Sequence, residues 1–113
     1  CGSVCSLRCA DYVEYVLAKE GDVAAVVVET VRSTDVQVPP PAYYRRLREA
    51  CDRHGALLIV DEIPICLGRT GRMYAFEHYG IVPDMVVIGK GLGGAVYPMA
   101  AVIALPELDI AAD

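Results

Sequence analysis

Apolar residues recur along this chain in two rhythms. From Arg8 to Glu20 they fall at Cys9, Val13, Val16 and Leu17, a single stripe of a helix with Gly21 as its stop. A second helical stripe, Leu47, Ala50 and Cys51, follows Pro39-Pro40-Pro41 and ends at His54-Gly55. Proline opens a helix without loss, because the first-turn N–H groups have no intrahelical partner, and glycine closes one. Elsewhere the rhythm changes to uninterrupted apolar runs. Residues 24–28 end in Glu29, 56–60 run into Asp61, Met85–Ile88 run through Gly89 into Lys90, and 99–104 form the last run. Strands with one wet face alternate apolar and polar residues, whereas unbroken runs belong to strands buried on both faces, as in parallel sheets. The order of runs and helices predicts an α/β fold, a mostly parallel sheet covered by helices on both sides. Residues 30–38 read as irregular, a long loop holds Gly68-Arg69-Thr70-Gly71, residues 74–79 form a short helical piece, and Pro106 starts another helix.

Composition narrows this picture. At 55% apolar, the 113 residues are rich in core material for one small domain. The chain opens on Cys1 and runs out at Ala111-Ala112-Asp113 without a stop signal, so residues 1–113 read as a segment of a longer protein. No apolar run approaches the roughly 18 residues of a membrane span, no signal peptide is visible, and no membrane association is expected. A net charge of −5 argues against a nucleic-acid or anionic-membrane surface. The basic stretch from Tyr43 to Arg48 is better explained by i,i+4 ion pairs, Arg45–Glu49 and Arg48–Asp52, on a solvated helix face. Five cysteines, an odd number without secretory context, fit reduced thiols in a cytoplasmic protein. Cys1, Cys5 and Cys9 are spaced to gather around a metal, but without a fourth ligand the plainer reading is small residues facing the core, and no metal site is expected.

Three chemistries compete for the strand ends. Gly89-Lys90-Gly91-Leu92-Gly93-Gly94 satisfies G-x-G-x-x-G after a strand, but a dinucleotide site needs that loop to open a helix, and Pro98 with a strand-like run follows instead. The run into Asp61-Glu62 resembles the acidic strand end of a P-loop ATPase, with Asp61 toward magnesium and Glu62 as base, yet the chain holds no G-x-x-x-x-G-K-[ST]. The third reading uses both strand ends. Pyridoxal phosphate needs a lysine to hold it as a Schiff base and a carboxylate against its pyridinium nitrogen, and Lys90 and Asp61 are one crossover apart. On spacing alone, Asp61 as a helix cap and Lys90 as a solvated loop residue remain open.

The longer motifs carry a resemblance. Pro40-Pro41-Ala42-Tyr43, Cys51-Asp52-Arg53-His54-Gly55, Val60-Asp61-Glu62, the run from Gly68 to Gly80, Pro83-Asp84 and Gly89 to Gly94 together resemble class III aminotransferases, the fold-type-I pyridoxal 5'-phosphate enzymes that include 4-aminobutyrate and ornithine aminotransferases. The resemblance spans nearly the whole chain and implies part of the large, cofactor-binding domain. It implies that Asp61 pairs with the pyridine nitrogen, Lys90 forms the Schiff base, Ile63 packs on one face of the ring and Glu29 lies near the phenolic oxygen. His54 and His78 match family positions and read as structural.

The same comparison exposes departures. Asp-Glu-x-Gln reads Asp61-Glu62-Ile63-Pro64 here, and Pro64 supplies neither the glutamine's hydrogen bond to the phenolic oxygen nor a backbone N–H. Ile65 and Cys66 replace a small Thr/Ser-Gly pair, Thr30 replaces the proline after Glu29, and Ala95 replaces a glycine. In such enzymes the phosphate-binding loop and the ring-stacking aromatic lie upstream, while the partner-subunit threonine and the carboxylate-binding arginine lie downstream. The expectation is therefore a fragment of a homodimeric enzyme that moves an amino group from a primary amine or ω-amino acid to a 2-oxo acid. A lyase or decarboxylase on the same scaffold, the ATPase fragment and a non-catalytic α/β interaction module are the alternatives. Alone, the fragment is expected to bind cofactor poorly and to be inactive.

Overall fold

A computed structural model describes residues 5–110. Two helices, α1 (Arg8–Glu20) and α2 (Pro41–His54), and four strands, β1 (Ala25–Glu29), β2 (Leu57–Asp61), β3 (Met85–Ile88) and β4 (Ala101–Ala104), make up its regular part. The helix ends follow from the sequence. Gly21 and Gly55 take left-handed φ of 72° and 68°, and each returns its N–H to the last turn, at Leu17 and Cys51. α2 turns Tyr44, Leu47, Ala50 and Cys51 inward. On α1 the buried face is Ala10, Val13 and Leu17, and Cys9 is exposed rather than core-facing. The thiol stripe is thus offset from the helix's inner face. Cys1 lies outside the described residues.

The sheet order is β1-β2-β3-β4, with β1, β2 and β3 mutually parallel and β4 antiparallel to β3. Side chains alternate between faces. Val26, Val28, Leu58, Val60, Val86 and Ile88 lie toward the helices and join three apolar clusters with Leu17, Leu47, Cys51, Tyr79 and Ile81. The register places Val27, Ile59, Val87 and Val102 on the other face, where Val27 and Val102 are exposed. Among the described residues both helices cover one face only, so the expectation of helices on both sides is met on that face alone. Unbroken apolar runs report only that neither face carries polar residues. They do not report what covers them.

Long-range polar contacts set the strand starts. Asp84, just before β3, accepts the Leu58 N–H at 2.6 Å and an Arg48 N–H at 2.7 Å through the same oxygen. Arg48 also pairs with Asp52 at 2.7 Å, as its spacing predicts. The Arg45–Glu49 pair does not form: Arg45 reaches across to the Tyr79 carbonyl instead. Residues 75–79 form a 3₁₀ turn whose first amides are held by Glu62. Pro106 opens only a short 3₁₀ turn.

Candidate active site

Three parallel strands deliver their carboxyl ends to one edge, the place where ligands bind in open α/β sheets. The β1–β2 register ends on the pair Glu29 and Asp61, side by side on the face away from the helices. Asp61 accepts the Ile63 N–H on one oxygen at 2.9 Å; its second oxygen is engaged by no group among the described residues. The following turn closes on the Glu62 carbonyl, which accepts N–H from Ile65 at 3.0 Å and Cys66 at 2.9 Å. Pro64 sits inside that turn, where no N–H is required. Its substitution for glutamine therefore leaves the backbone intact and removes only a side-chain donor.

Lys90 stands at the head of a 3₁₀ turn, Lys90–Gly93, after β3. It is exposed and adopts a left-handed φ of 45°, a conformation that costs a non-glycine residue about 1–3 kcal/mol and that clusters at functional positions. Ala95 takes φ 61° where a glycine is usual in the resembling family, so the lysine loop is strained at both ends. Gly89 brings this loop against the Asp61 turn: a Cβ there would lie 3.4 Å from Ile63 Cγ2 and 3.5 Å from the Met99 carbonyl. Cys66, buried among Val60, Val86 and Ile88, places its Sγ 4.0 Å from the Gly89 carbonyl. The sequence Gly89 to Gly94 forms only this 3₁₀ turn and opens no α-helix, and the dinucleotide reading ends there.

Glu29 is held by the Ser33 hydroxyl at 2.7 Å and the Ser33 N–H at 3.0 Å. These two bonds keep its carboxyl below the usual range; partial loss of water opposes them, and the positive charges of Arg32 and Lys90 add to them. Lys90 thus acts electrostatically on the Glu29 neighbourhood. The two sides do not share one enclosed cavity. Glu29 lines a cleft of 410 Å³ with Arg32, Gln37, Tyr43 and Tyr44, whereas Lys90 lines a 270 Å³ cleft with Ala95, Val96, Tyr97 and Pro98.

Sequence reasoning passed over the reverse side of this edge. Glu62, offered above as a base in the ATPase reading, is fully buried on the helix side and accepts three hydrogen bonds, so it cannot face a ligand beside Asp61. Thr30 is equally buried. The period of two along each strand was the available signal, since Thr30 and Glu62 each follow a residue of the open face. His78 Nε2 lies 3.1 Å from both the carbonyl and the hydroxyl of Thr70, a contact that ties down the Gly68–Gly71 loop. No cluster of three or more metal-binding side chains occurs among the described residues.

Comparison with known proteins converges on one family. Residues 4–111 match the family model described as Aminotransferase class-III. An (R)-1-hydroxy-2-aminoethylphosphonate ammonia-lyase of Vibrio splendidus is 46% identical over 110 residues, 97% of this chain and 23% of the relative. An acetylornithine aminotransferase of Methanopyrus kandleri is 51% identical over 92 residues, 80% of this chain and 23% of the relative. The ornithine δ-aminotransferase of Plasmodium falciparum superposes with a TM-score of 0.85 at 31% identity, covering 92% of this chain and 27% of that one. The chain thus spans about a quarter of the length of the proteins it matches. A match over nearly all of its residues, on a fold that aligns with a solved aminotransferase, establishes that the chain belongs to the class III aminotransferases.

Proposed function

We propose that residues 1–113 form the central part of the large domain of a pyridoxal 5'-phosphate enzyme, and that the whole protein transfers an amino group from a primary amine or ω-amino acid to a 2-oxo acid. The observation that carries this reading is the edge on which Asp61, with one unengaged oxygen, and Lys90, on a strained exposed turn, end neighbouring strands. The residues present fit the cofactor. Asp61 offers an acceptor for a pyridinium N–H, Ile63 against Gly89 offers an apolar wall, Glu29 stands beside Asp61, and Lys90 offers an amine on the same edge. When bound, pyridoxal phosphate supplies a sink for the electron pair released when a bond at the substrate Cα breaks. Lys90 would hold the cofactor through its Nζ, and that same amine, once free, would serve as general base for the substrate Cα proton. Asp61 would accept the ring N–H and so favour the protonated nitrogen, and Ile63 would offer an apolar surface to one face of the ring.

The family builds its sites between two subunits, which supports a homodimer, and the odd number of cysteines supports a cytoplasmic setting. A second reading, elimination of ammonia, is favoured by the Vibrio lyase, which is 46% identical over 97% of this chain, and by Pro64, which would withhold a donor from the cofactor's oxygen. Borohydride reduction of the full-length protein with pyridoxal phosphate, followed by peptide mapping, is expected to place the adduct on Lys90. An adduct elsewhere, or none, refutes the reading. Ammonia released from an amine substrate without any 2-oxo acid selects the lyase, and dependence on the 2-oxo acid selects the transaminase.

A further inference from the structure

Among the described residues, Thr30 and Glu62 are the polar side chains buried completely, and neither takes part in the chemistry above. Each directly follows a cofactor-facing carboxylate, Thr30 after Glu29 and Glu62 after Asp61. The β1–β2 ladder ends at the Glu29–Asp61 pair. One step beyond, the Thr30 hydroxyl donates to Glu62 Oε1 at 2.8 Å, a side-chain rung where the backbone rungs stop. The rung is anchored on both sides. Glu62 Oε1 also accepts the Phe76 N–H at 2.8 Å, and Oε2 accepts the Ala75 N–H at 2.8 Å. The Thr30 carbonyl accepts the Tyr44 hydroxyl at 2.7 Å and the Tyr79 hydroxyl at 3.1 Å. No Lys, Arg or His pairs with Glu62 in the described residues, so its carboxylate is satisfied wholly by neutral donors.

Burying a carboxylate without a cation is costly unless its hydrogen bonds are complete. The Ala75 and Phe76 amides account for a carboxylate at position 62, but they need neither Thr30 nor its bond across the strand ends, so the rung calls for a role that holding the turn does not fill. Strand alternation supplies one. Thr30 and Glu62 lie on the helix side while Glu29 and Asp61 lie on the open side, and a bond between the first two fixes the spacing of the second two. We propose that Thr30 and Glu62 are positioning residues that set the distance between the Glu29 and Asp61 carboxylates, and so the fit of the cofactor ring between them. The pair stands at a departure of this chain, since Thr30 replaces a proline that has no hydroxyl to donate. The proposal rests on the pyridoxal-phosphate reading.

The test uses the full-length enzyme with Thr30→Val, which keeps shape and removes the donor, Thr30→Ser, which keeps the donor, and Glu62→Gln, should Thr30→Val not fold. In the loaded enzyme, Thr30→Val is expected to hold pyridoxal phosphate about tenfold more weakly in equilibrium dialysis, the loss of one bond to a charged group. It is also expected to displace the pH midpoint of the bound cofactor's visible absorbance and to lower kcat at unchanged KM; Thr30→Ser restores all three. In the cofactor-free enzyme, the Ile63 amide that donates to Asp61 is expected to exchange faster in Thr30→Val and Glu62→Gln and at the wild-type rate in Thr30→Ser. Lower thermal stability with wild-type affinity, absorbance midpoint and Ile63 exchange would make the rung merely structural and overturn the proposal, as would failure of Thr30→Ser to restore them. A wild-type enzyme that takes up no pyridoxal phosphate overturns the reading of the site instead, and Ile63 exchange then still decides whether the rung holds Asp61.

Discussion

Removing the Tyr44 hydroxyl tests whether one buried carbonyl is served by two donors. The Thr30 carbonyl accepts Tyr44 at 2.7 Å and Tyr79 at 3.1 Å, and the two rings stack with centroids 4.3 Å apart. Tyr44→Phe keeps the ring and leaves the carbonyl one partner; Tyr79→Phe does the same from the other side. A net hydrogen bond is worth about 1 kcal/mol, so each single change should cost about that much. Removing both orphans a buried acceptor, which adds about 1–2 kcal/mol beyond the sum. Amide hydrogen exchange of the Leu57–Asp61 peptide in the full-length protein reads this locally. Each single variant should exchange about fivefold faster, and the double variant about 300-fold faster. Independent bonds would multiply to only about thirtyfold, and that result would refute the shared carbonyl.

Burial pushes the phenols of Tyr43, Tyr44 and Tyr79 above their ordinary 10.0. A raised folded-state pKa leaves stability untouched below the unfolded value, so the tyrosines' contribution should be flat up to about pH 10 and fall above it. Burial also raises the Cys51 thiol above its ordinary 9.0, which should start a smaller decline below about pH 10. Phenolate absorbance from these groups should then appear only with unfolding, and free ionisation of every tyrosine near pH 10 in the folded protein would contradict this. Asp84→Ala strips acceptors from the Leu58 N–H and from Arg48, and should cost about 2–3 kcal/mol in thermal or urea unfolding. Asp52→Ala, which removes the exposed partner of the same arginine, should cost less than about 0.5 kcal/mol; equal losses would show that Asp84 is not the strand's anchor. Val36 takes a left-handed φ of 52° with its side chain in water, so Val36→Asn should raise stability by about 0.5–1 kcal/mol, and a loss would refute the strain.

What could be read from the sequence was what is local. The bounds of α1 and α2 follow from Gly21 and Gly55 because a left-handed glycine stops a helix wherever the chain goes next. β3 has the predicted bounds because its four residues are apolar between Asp84 and Gly89. Asp61 and Lys90 stood out as charges at the ends of apolar runs, whereas Glu29 needed the longer motifs. Contacts across the fold were not legible. Spacing shows that Arg45 can meet Glu49, but not that the Tyr79 carbonyl will be nearer. Nor does it show that Arg48 reaches the carboxylate of Asp84 at the start of β3, 36 residues on. The Thr30–Glu62 rung was invisible for the same reason, because it depends on a register that only strand pairing sets.

The departures at 64–66 argue for an altered site rather than a decayed one. A decayed turn would show unmet backbone groups or an empty space, and this one shows neither. The Glu62 carbonyl closes it with two N–H donors, Pro64 is asked for none, and Cys66 fills the space beneath Gly89 that a glycine would leave open. On the proposed function, the scaffold of Asp61 and Lys90 is kept, and what would change is the polarity met by the cofactor's phenolic oxygen. Pro64→Gln tests this. The turn accepts the new residue, so the stability loss should be about 0.5–1 kcal/mol, the entropy that proline removes from the unfolded chain. The visible absorbance of the bound cofactor should shift as a donor returns to that oxygen, and the ratio of ammonia release to amino transfer should fall. A variant that loses several kcal/mol would mean that Pro64 was there to hold the turn. One with unchanged absorbance and product ratio would mean that position 64 does not face the ring, and the choice between elimination and transfer would have to rest on other residues.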